Sequence, residues 1–191
     1  MGHVGIGRRL LDQYAFDRVV YVPGSGHYPK PDLAPEPDRL ALLQMSTAGE
    51  PRFEVCDYEL GKDDWTEPFE TLLHLKSHYE QGPAGARIFT VRGDDWLPQM
   101  MTWTELADHE GVYEFIIVPR VGPDLQSVST NREQMDLVSR MSHVMESPEP
   151  FDVSSARVRD LVMRGATDEL PVPGGVFEQI RRWGLYGTSA R

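Results

Sequence analysis

Strand-like and helix-like segments alternate along nearly the whole chain, and that alternation confines it to an α/β architecture. "RVVYVP" (18–23) is a short β-branched and aromatic run closed by proline, which reads as a buried strand. "VYEFIIVPR" (112–120) is the clearest such run; Arg87 to Val91 reads as a strand, and "RFEVCDYEL" as a strand running into a loop. Helical spacing fills the gaps between them. Leu10, Leu11 and Tyr14 make one apolar stripe on a helix starting within two residues of Met1, with Arg8, Arg9, Asp12 and Gln13 opposite. Arg39 to Ser46 reads as helix, and Asp64 is placed to cap another over Trp65 to Tyr79. Further helices are expected near Trp103 to Asp108 and from about Val176 to Trp183. Gln134 to Glu146 stays ambiguous, helical at first and strand-like at "HVME". "FDVSSARVRDLVMRG" reads as strand, cap and helix, ending at Gly165. A mostly parallel sheet covered on both faces follows.

The chain has 191 residues, no internal repeat and no linker long enough to divide it, so a single domain over 1–191 is expected. Cys56 is the lone cysteine, which excludes an intramolecular disulfide and any multi-cysteine zinc site and fits a reducing compartment. The formal net charge of −11 argues against a nucleic-acid partner, yet leaves room for a small phosphorylated ligand held by local Arg and Lys. No apolar run approaches bilayer length and the N-terminus has no signal-type apolar region. A cytoplasmic protein with no membrane partner is therefore expected.

Several stretches carry possible chemistry. In "DVSSARVR", Ser154 and Ser155 stand at a strand-to-helix junction, where free N–H groups and the helix dipole attract an anion. Arg157 and Arg159 add charge-assisted donors. On these residues alone a plain cap with solvated arginines is the simpler reading, and a phosphate site needs a second cationic element. Gly2-His3 at a helix start and Lys30 in the Gly/Pro-rich loop 24–37 are the candidates, although a Gly-His pair and a loop lysine are both common. "RGDDW" (92–96) follows a strand, where open parallel sheets bind ligands, and its aspartates could accept from ribose hydroxyls or merely cap a turn. Trp65 and Trp103 can stack on a flat ring, or simply pack.

Taken in order, these pieces resemble the nicotinate and nicotinamide mononucleotide adenylyltransferases of the H-x-G-H nucleotidyltransferase superfamily. Gly2-His3 is similar to that family's G-H, with Asp17 at the expected offset; Pro23 and Lys30 match the strand-end proline and the loop lysine, and Pro29 replaces a histidine. "RLALL" resembles the Arg helix, and "PFETL" the end of the T-x-D-T-L motif. Gly93, Asp95 and Trp103 keep the G-x-D…Trp spacing, and Arg120 matches the arginine ending a strand. "VSSARVR" is similar to I-S-S-T-x-I-R with Ala156 for Thr, and "LPVPGGVFEQIRRWGLY" matches the closing segment to Tyr186.

The resemblance implies a Rossmann-like three-layer nucleotidyltransferase fold. It also implies a first strand and a G-x-F-D-P-x-H turn ahead of Gly2-His3, so the chain reads as N-terminally truncated relative to the family, and in-frame codons before Met1 are expected to encode them. The implied reaction transfers an adenylyl group from ATP to a pyridine mononucleotide, giving a dinucleotide and pyrophosphate for NAD biosynthesis. Its alternatives are a non-catalytic nucleotide-binding relative and a transferase for another small phosphate. In the implied site His3 is catalytic, donating to the ATP phosphates. Gly2, Lys30, Gly93, Asp95, Arg120, Ser154, Ser155 and Arg159 bind ATP, with Mg²⁺ carried in by the nucleotide. Trp65, Thr66, Glu67 and Trp103 bind the pyridine nucleotide, and a homo-oligomer is possible.

Overall fold

The computed structural model describes residues 2–27, 33–64, 66–80, 85–119, 131–146, 155–166 and 172–188. The first half holds helix α1 (His3–Gln13), strand β1 (Val19–Tyr21), helix α2 (Glu36–Thr47), strand β2 (Phe53–Val55) and helix α3 (Pro68–Tyr79). Strand β3 (Ile88–Gly93), helix α4 (Leu97–Met100), strand β4 (Tyr113–Val118), helix α5 (Arg132–Arg140) and strand β5 (Ser142–Val144) follow. Helices α6 (Ser155–Met163) and α7 (Gly174–Arg182) close the order. Tight 3-10 turns cover Asp94–Trp96, Thr104–His109 and Leu185–Gly187. Every described strand pairing is parallel: β1 with β2 in one sheet, and β3-β4-β5 in another. The fold is Rossmann-like α/β. Contacts gather the chain into two compact units, Met1–Thr66 with Val153–Arg191, and Glu67–Asp152.

In the first unit, α1 lies on β1 and β2 at unusually short range. A methyl group at Gly7 would overlap the Tyr21 hydroxyl and crowd Phe53, so any larger residue there must push the tyrosine aside. Tyr21 and Phe53 meet edge to face at 5.2 Å, and burial pushes the Tyr21 phenol well above its ordinary pKa. Helices α2, α6 and α7 share a core of Leu42, Val162, Val176 and Ile180.

Glu36 ties two loops of this unit together. Its carboxylate accepts from the Gly26 N–H and, at 2.8 Å, from the Gly61 N–H. Those bonds, the Gly61 one foremost, hold its pKa below the ordinary carboxylate value of 4.5. A lowered native pKa means that the clamp is fully present above pH 4.5 and drains away as pH falls through the native value. Glu36→Ala is expected to speed amide exchange at Gly26 and Gly61 by at least about tenfold, the loss of charge-assisted bonds. Exchange unchanged at both amides would show that the loops hold without it.

The second unit is built on β4, whose residues Phe115, Ile116, Ile117 and Val118 are buried one after another. A strand buried on both faces needs that unbroken apolar run. β3 and β4 align in register from Ile88 opposite Tyr113 to Gly93 opposite Val118. Tyr113, Phe115 and Ile117 share one core with Leu72 of α3, Leu97 and Met100 of α4, and Leu137 and Val138 of α5.

The boundaries depart from the sequence expectations in instructive ways. Asp64 does not cap a helix; α3 begins at Pro68, after Glu67 in extended conformation (φ −64°, ψ 141°). Proline suits the first helical turn and drives its predecessor out of the helical region. The helix expected from Arg39 starts earlier, at Glu36, with Pro37 in its first turn. The expected helix at Trp103 to Asp108 is a 3-10 turn, Thr104–His109. The ambiguous segment 134–146 holds both elements: α5 stops at Arg140 and β5 pairs beside β4. The strand expected at "FDV" lies outside the described residues.

Candidate active site

His3 is the first residue of α1 and is exposed, with Gly2 as the N-cap. The Gly2 carbonyl accepts from the Gly5 and Ile6 amides at 2.9 and 3.1 Å, closing the first turn. The Tyr21 hydroxyl donates to the His3 carbonyl over a long 3.4 Å. His3 is therefore placed by Gly7 four residues on, which admits the tyrosine beneath the helix. That role of Gly7 was missed in the sequence, where a glycine inside a helix was the available signal.

Arg159 lies half-buried on α6, and Ser155 opens that helix. Thr66 also belongs to the first unit; it is 4% exposed, and its hydroxyl has no hydrogen-bond partner among the described residues. Lys30, Trp65, Arg120 and Ser154 lie outside the described residues.

The second unit holds the remaining predicted positions. Gly93 ends β3 and caps the turn Asp94–Trp96, in which Asp94 is buried and Asp95 exposed. The Arg92 guanidinium sits 4.4 Å over the Trp96 ring and braces that turn. Trp96 meets Trp103 edge to face at 6.3 Å, and Trp103 packs on Phe115 at 6.2 Å. Trp103 thus both packs and lines a pocket.

That pocket is walled by Glu67, Pro68, Phe69, Trp103, Glu105, Leu106, His109 and Tyr113. It brings Glu67 and Trp103, predicted from separate motifs, onto one cavity. At about 30 Å³ it has room for roughly two waters, and the exposed Glu67 and Glu105 stand in its wall. Its floor is an aromatic tier that the sequence did not reveal. Phe69 stacks on His109 at 5.4 Å, and His109 on Tyr113 at 5.7 Å. Burial raises the Tyr113 phenol above its ordinary pKa.

Gln134 of α5 fixes the strap that carries Trp103. Its side-chain amide donates to the Met100 carbonyl at 3.1 Å and the Trp103 carbonyl at 3.0 Å. Asn131 caps the same helix by accepting from the Gln134 amide at 3.2 Å. Gln134→Met keeps the bulk and removes both donors, so a loss of about 1–2 kcal/mol is expected. Thermal unfolding should then fall by roughly 3–8 °C. An unshifted transition would show the strap to be self-supporting.

Among the described residues no cluster of three or more His, Cys, Asp or Glu could hold a metal ion, and no helix is long and apolar enough to cross a membrane.

The cytidylyltransferase-like family profile matches residues 1–161. The chain belongs to the cytidylyltransferase-like family. A probable nicotinate-nucleotide adenylyltransferase of Dehalococcoides mccartyi is 26% identical over 187 residues, covering 97% of this chain and 90% of that protein. One of Leifsonia xyli subsp. xyli is 28% identical over 189 residues, covering 99% of this chain and 88% of the relative. Another, of Salinispora arenicola, is 27% identical over 187 residues, covering 97% and 94%. As a cytidylyltransferase-like chain with parallel strands, it carries the exposed His3 at one helix start and the Glu67–Trp103 pocket at another.

Proposed function

We propose that this chain transfers the adenylyl group of ATP to the phosphate of a pyridine mononucleotide. An acceptor phosphate oxygen attacks the α-phosphorus, the bond from that phosphorus to the bridging β-phosphate oxygen breaks, and pyrophosphate leaves with its electron pair. Catalysis of this kind is positioning and charge stabilisation, with no covalent intermediate on the protein. His3, exposed on the first turn of α1, donates to the phosphates as charge builds, and Gly2 lets the backbone approach them. Lys30, Arg120, Arg159 and the Ser154-Ser155 helix start are assigned to the triphosphate, and Gly93 and Asp95 to the ribose. Mg²⁺ carried by the nucleotide would supply charge neutralisation at the phosphates. Trp103 and Trp65 are assigned to the pyridine ring, with Thr66 and Glu67 at its substituent.

The observation that carries this reading is the single pocket shared by Trp103 and Glu67 over an aromatic floor. The names borne by the relatives support it. The test is to incubate the protein with ATP, Mg²⁺ and each candidate acceptor: nicotinamide mononucleotide, nicotinate mononucleotide and pantetheine phosphate. Pyrophosphate release with a dinucleotide from a pyridine acceptor is expected. Product from pantetheine phosphate alone overturns the acceptor. Nucleotide binding without product from any acceptor makes the chain a binding protein.

A further inference from the structure

We propose that Arg39 and Tyr186 complete, with Arg159, a cradle for the phosphate oxygens of a nucleoside triphosphate. The inference rests on the adenylyl-transfer reading and gives a role to two residues which that reading leaves idle.

Tyr186 is held in an uncommon conformation. Its backbone is left-handed (φ 55°, ψ 37°), the one non-glycine residue with positive φ among those described. Bulky side chains are disfavoured there, and such strain gathers at functional sites. Gly184 and Gly187 on either side also take positive φ, 66° and 78°, at no steric cost. The closing 3-10 turn is thus shaped around one costly residue. Tyr186 packs, as Val158 also does, against the core of Leu42, Val162, Val176 and Ile180. Leu42 is three residues beyond Arg39 on α2, and Val158 precedes Arg159 on α6. The tyrosine therefore shares one core with both helices that carry the arginines.

Its phenol lies in the field of both guanidiniums. Burial raises its pKa, Arg159 and then Arg39 pull it down, and Asp38 is the acid acting on it. Arg39 is half committed already. Its Nε donates to the Ala34 carbonyl at 2.9 Å and its Nη1 to the Gly24 carbonyl at 2.6 Å. Its Nη2 is buried without a hydrogen-bond partner among the described residues. Among the described residues, its ion-pair partner is the Glu36 carboxylate, whose oxygen is 4.0 Å away and belongs to the side chain already accepting from Gly26 and Gly61. A buried, unengaged guanidinium N–H is costly unless something accepts from it. Two guanidiniums whose charges both act on one hydroxyl donor suit an anion with several oxygens, and the triphosphate of the proposed donor is such an anion.

The full chain is titrated calorimetrically with inorganic tripolyphosphate, and ATP kinetics are measured beside it. Tyr186→Phe keeps the ring and its packing while removing the hydroxyl, so thermal unfolding should stay within about 2 °C. Its tripolyphosphate affinity should fall roughly tenfold, the loss of one bond to a charged group. The KM for ATP should rise likewise, with the KM for the mononucleotide unmoved. Arg39→Lys exchanges the fork for one ammonium and so loses Nη2 together with at least one of the anchors to Ala34 and Gly24. It should weaken tripolyphosphate by about tenfold or more, with a thermal melt recorded beside it to separate loss of fold from loss of the ligand. Wild-type affinity in both variants, with Arg159→Ala still losing the ligand, overturns the cradle and leaves adenylyl transfer standing. A wild-type chain that ignores tripolyphosphate also overturns it. Tyrosine-dependent tripolyphosphate binding in a protein that makes no dinucleotide supports the cradle and sinks the transfer reading.

Discussion

His3→Ala is expected to lower kcat for dinucleotide formation by about 10²–10³, the scale of losing one donor aimed at charge that develops in the transition state. The fold should be retained, with only a small shift in thermal unfolding. His3 is exposed on the first turn of α1, and its recorded bond to Tyr21 runs through the backbone carbonyl, which alanine keeps. Alanine is also the better helix former. The turn is closed by the Gly2 carbonyl, and α1 is seated by Gly7 against Tyr21, neither of which the substitution touches. The measurement is kcat at saturating ATP and mononucleotide, paired with a thermal melt. A variant that turns over like the wild type and melts with it would make His3 a helix residue and nothing more.

Nicotinamide mononucleotide should be preferred over the nicotinate form. A nicotinate carboxylate needs N–H donors or cations, and this pocket presents carboxylates. Glu67 and Glu105 both line it. Pro68 has no N–H to offer, and the Glu70 and Thr71 amides are turned back onto the Glu67 carbonyl at 3.0 and 3.5 Å. A like charge at about 5 Å costs roughly 3 kcal/mol at an effective dielectric near 20, about a hundredfold in selectivity. Glu67 is exposed, so water and salt screen part of that, and about tenfold is the expected preference. Relatives with nicotinate in their names set the contrary expectation, which gives the comparison its force. The measurement is kcat/KM for each mononucleotide at saturating ATP. A tenfold preference for nicotinate would mean that Glu67 and Glu105 leave the pocket when it fills.

Much of the fold was readable because its signals are local. "YEFIIV" announces β4, since only a strand buried on both faces tolerates that run. The apolar pair Leu10 and Leu11 is buried as its spacing on α1 requires. Pro68 was a readable helix start that the capping preference for Asp64 overrode. Segment 134–146 read as ambiguous because it contains one element of each kind, separated at Met141.

The sequence by itself determined most of the described strands and helices and the candidate motifs Gly2-His3, Gly93-x-Asp95 and Trp103, because these depend on residues a few positions apart. Tertiary structure alone decided what depends on distant partners. It set Glu67, just ahead of α3, in one pocket with Trp103 and stacked Phe69, His109 and Tyr113 across some forty positions of chain. It turned Gly7 from a helix weakness into the seat of α1 on Tyr21, and gave Gln134 the strap that carries Trp103. It shaped the closing turn around Tyr186 in a left-handed conformation, packed on the core that α2 and α6 share. Periodicity tells which face of an element is apolar; which distant side chain meets that face is fixed only when the core closes.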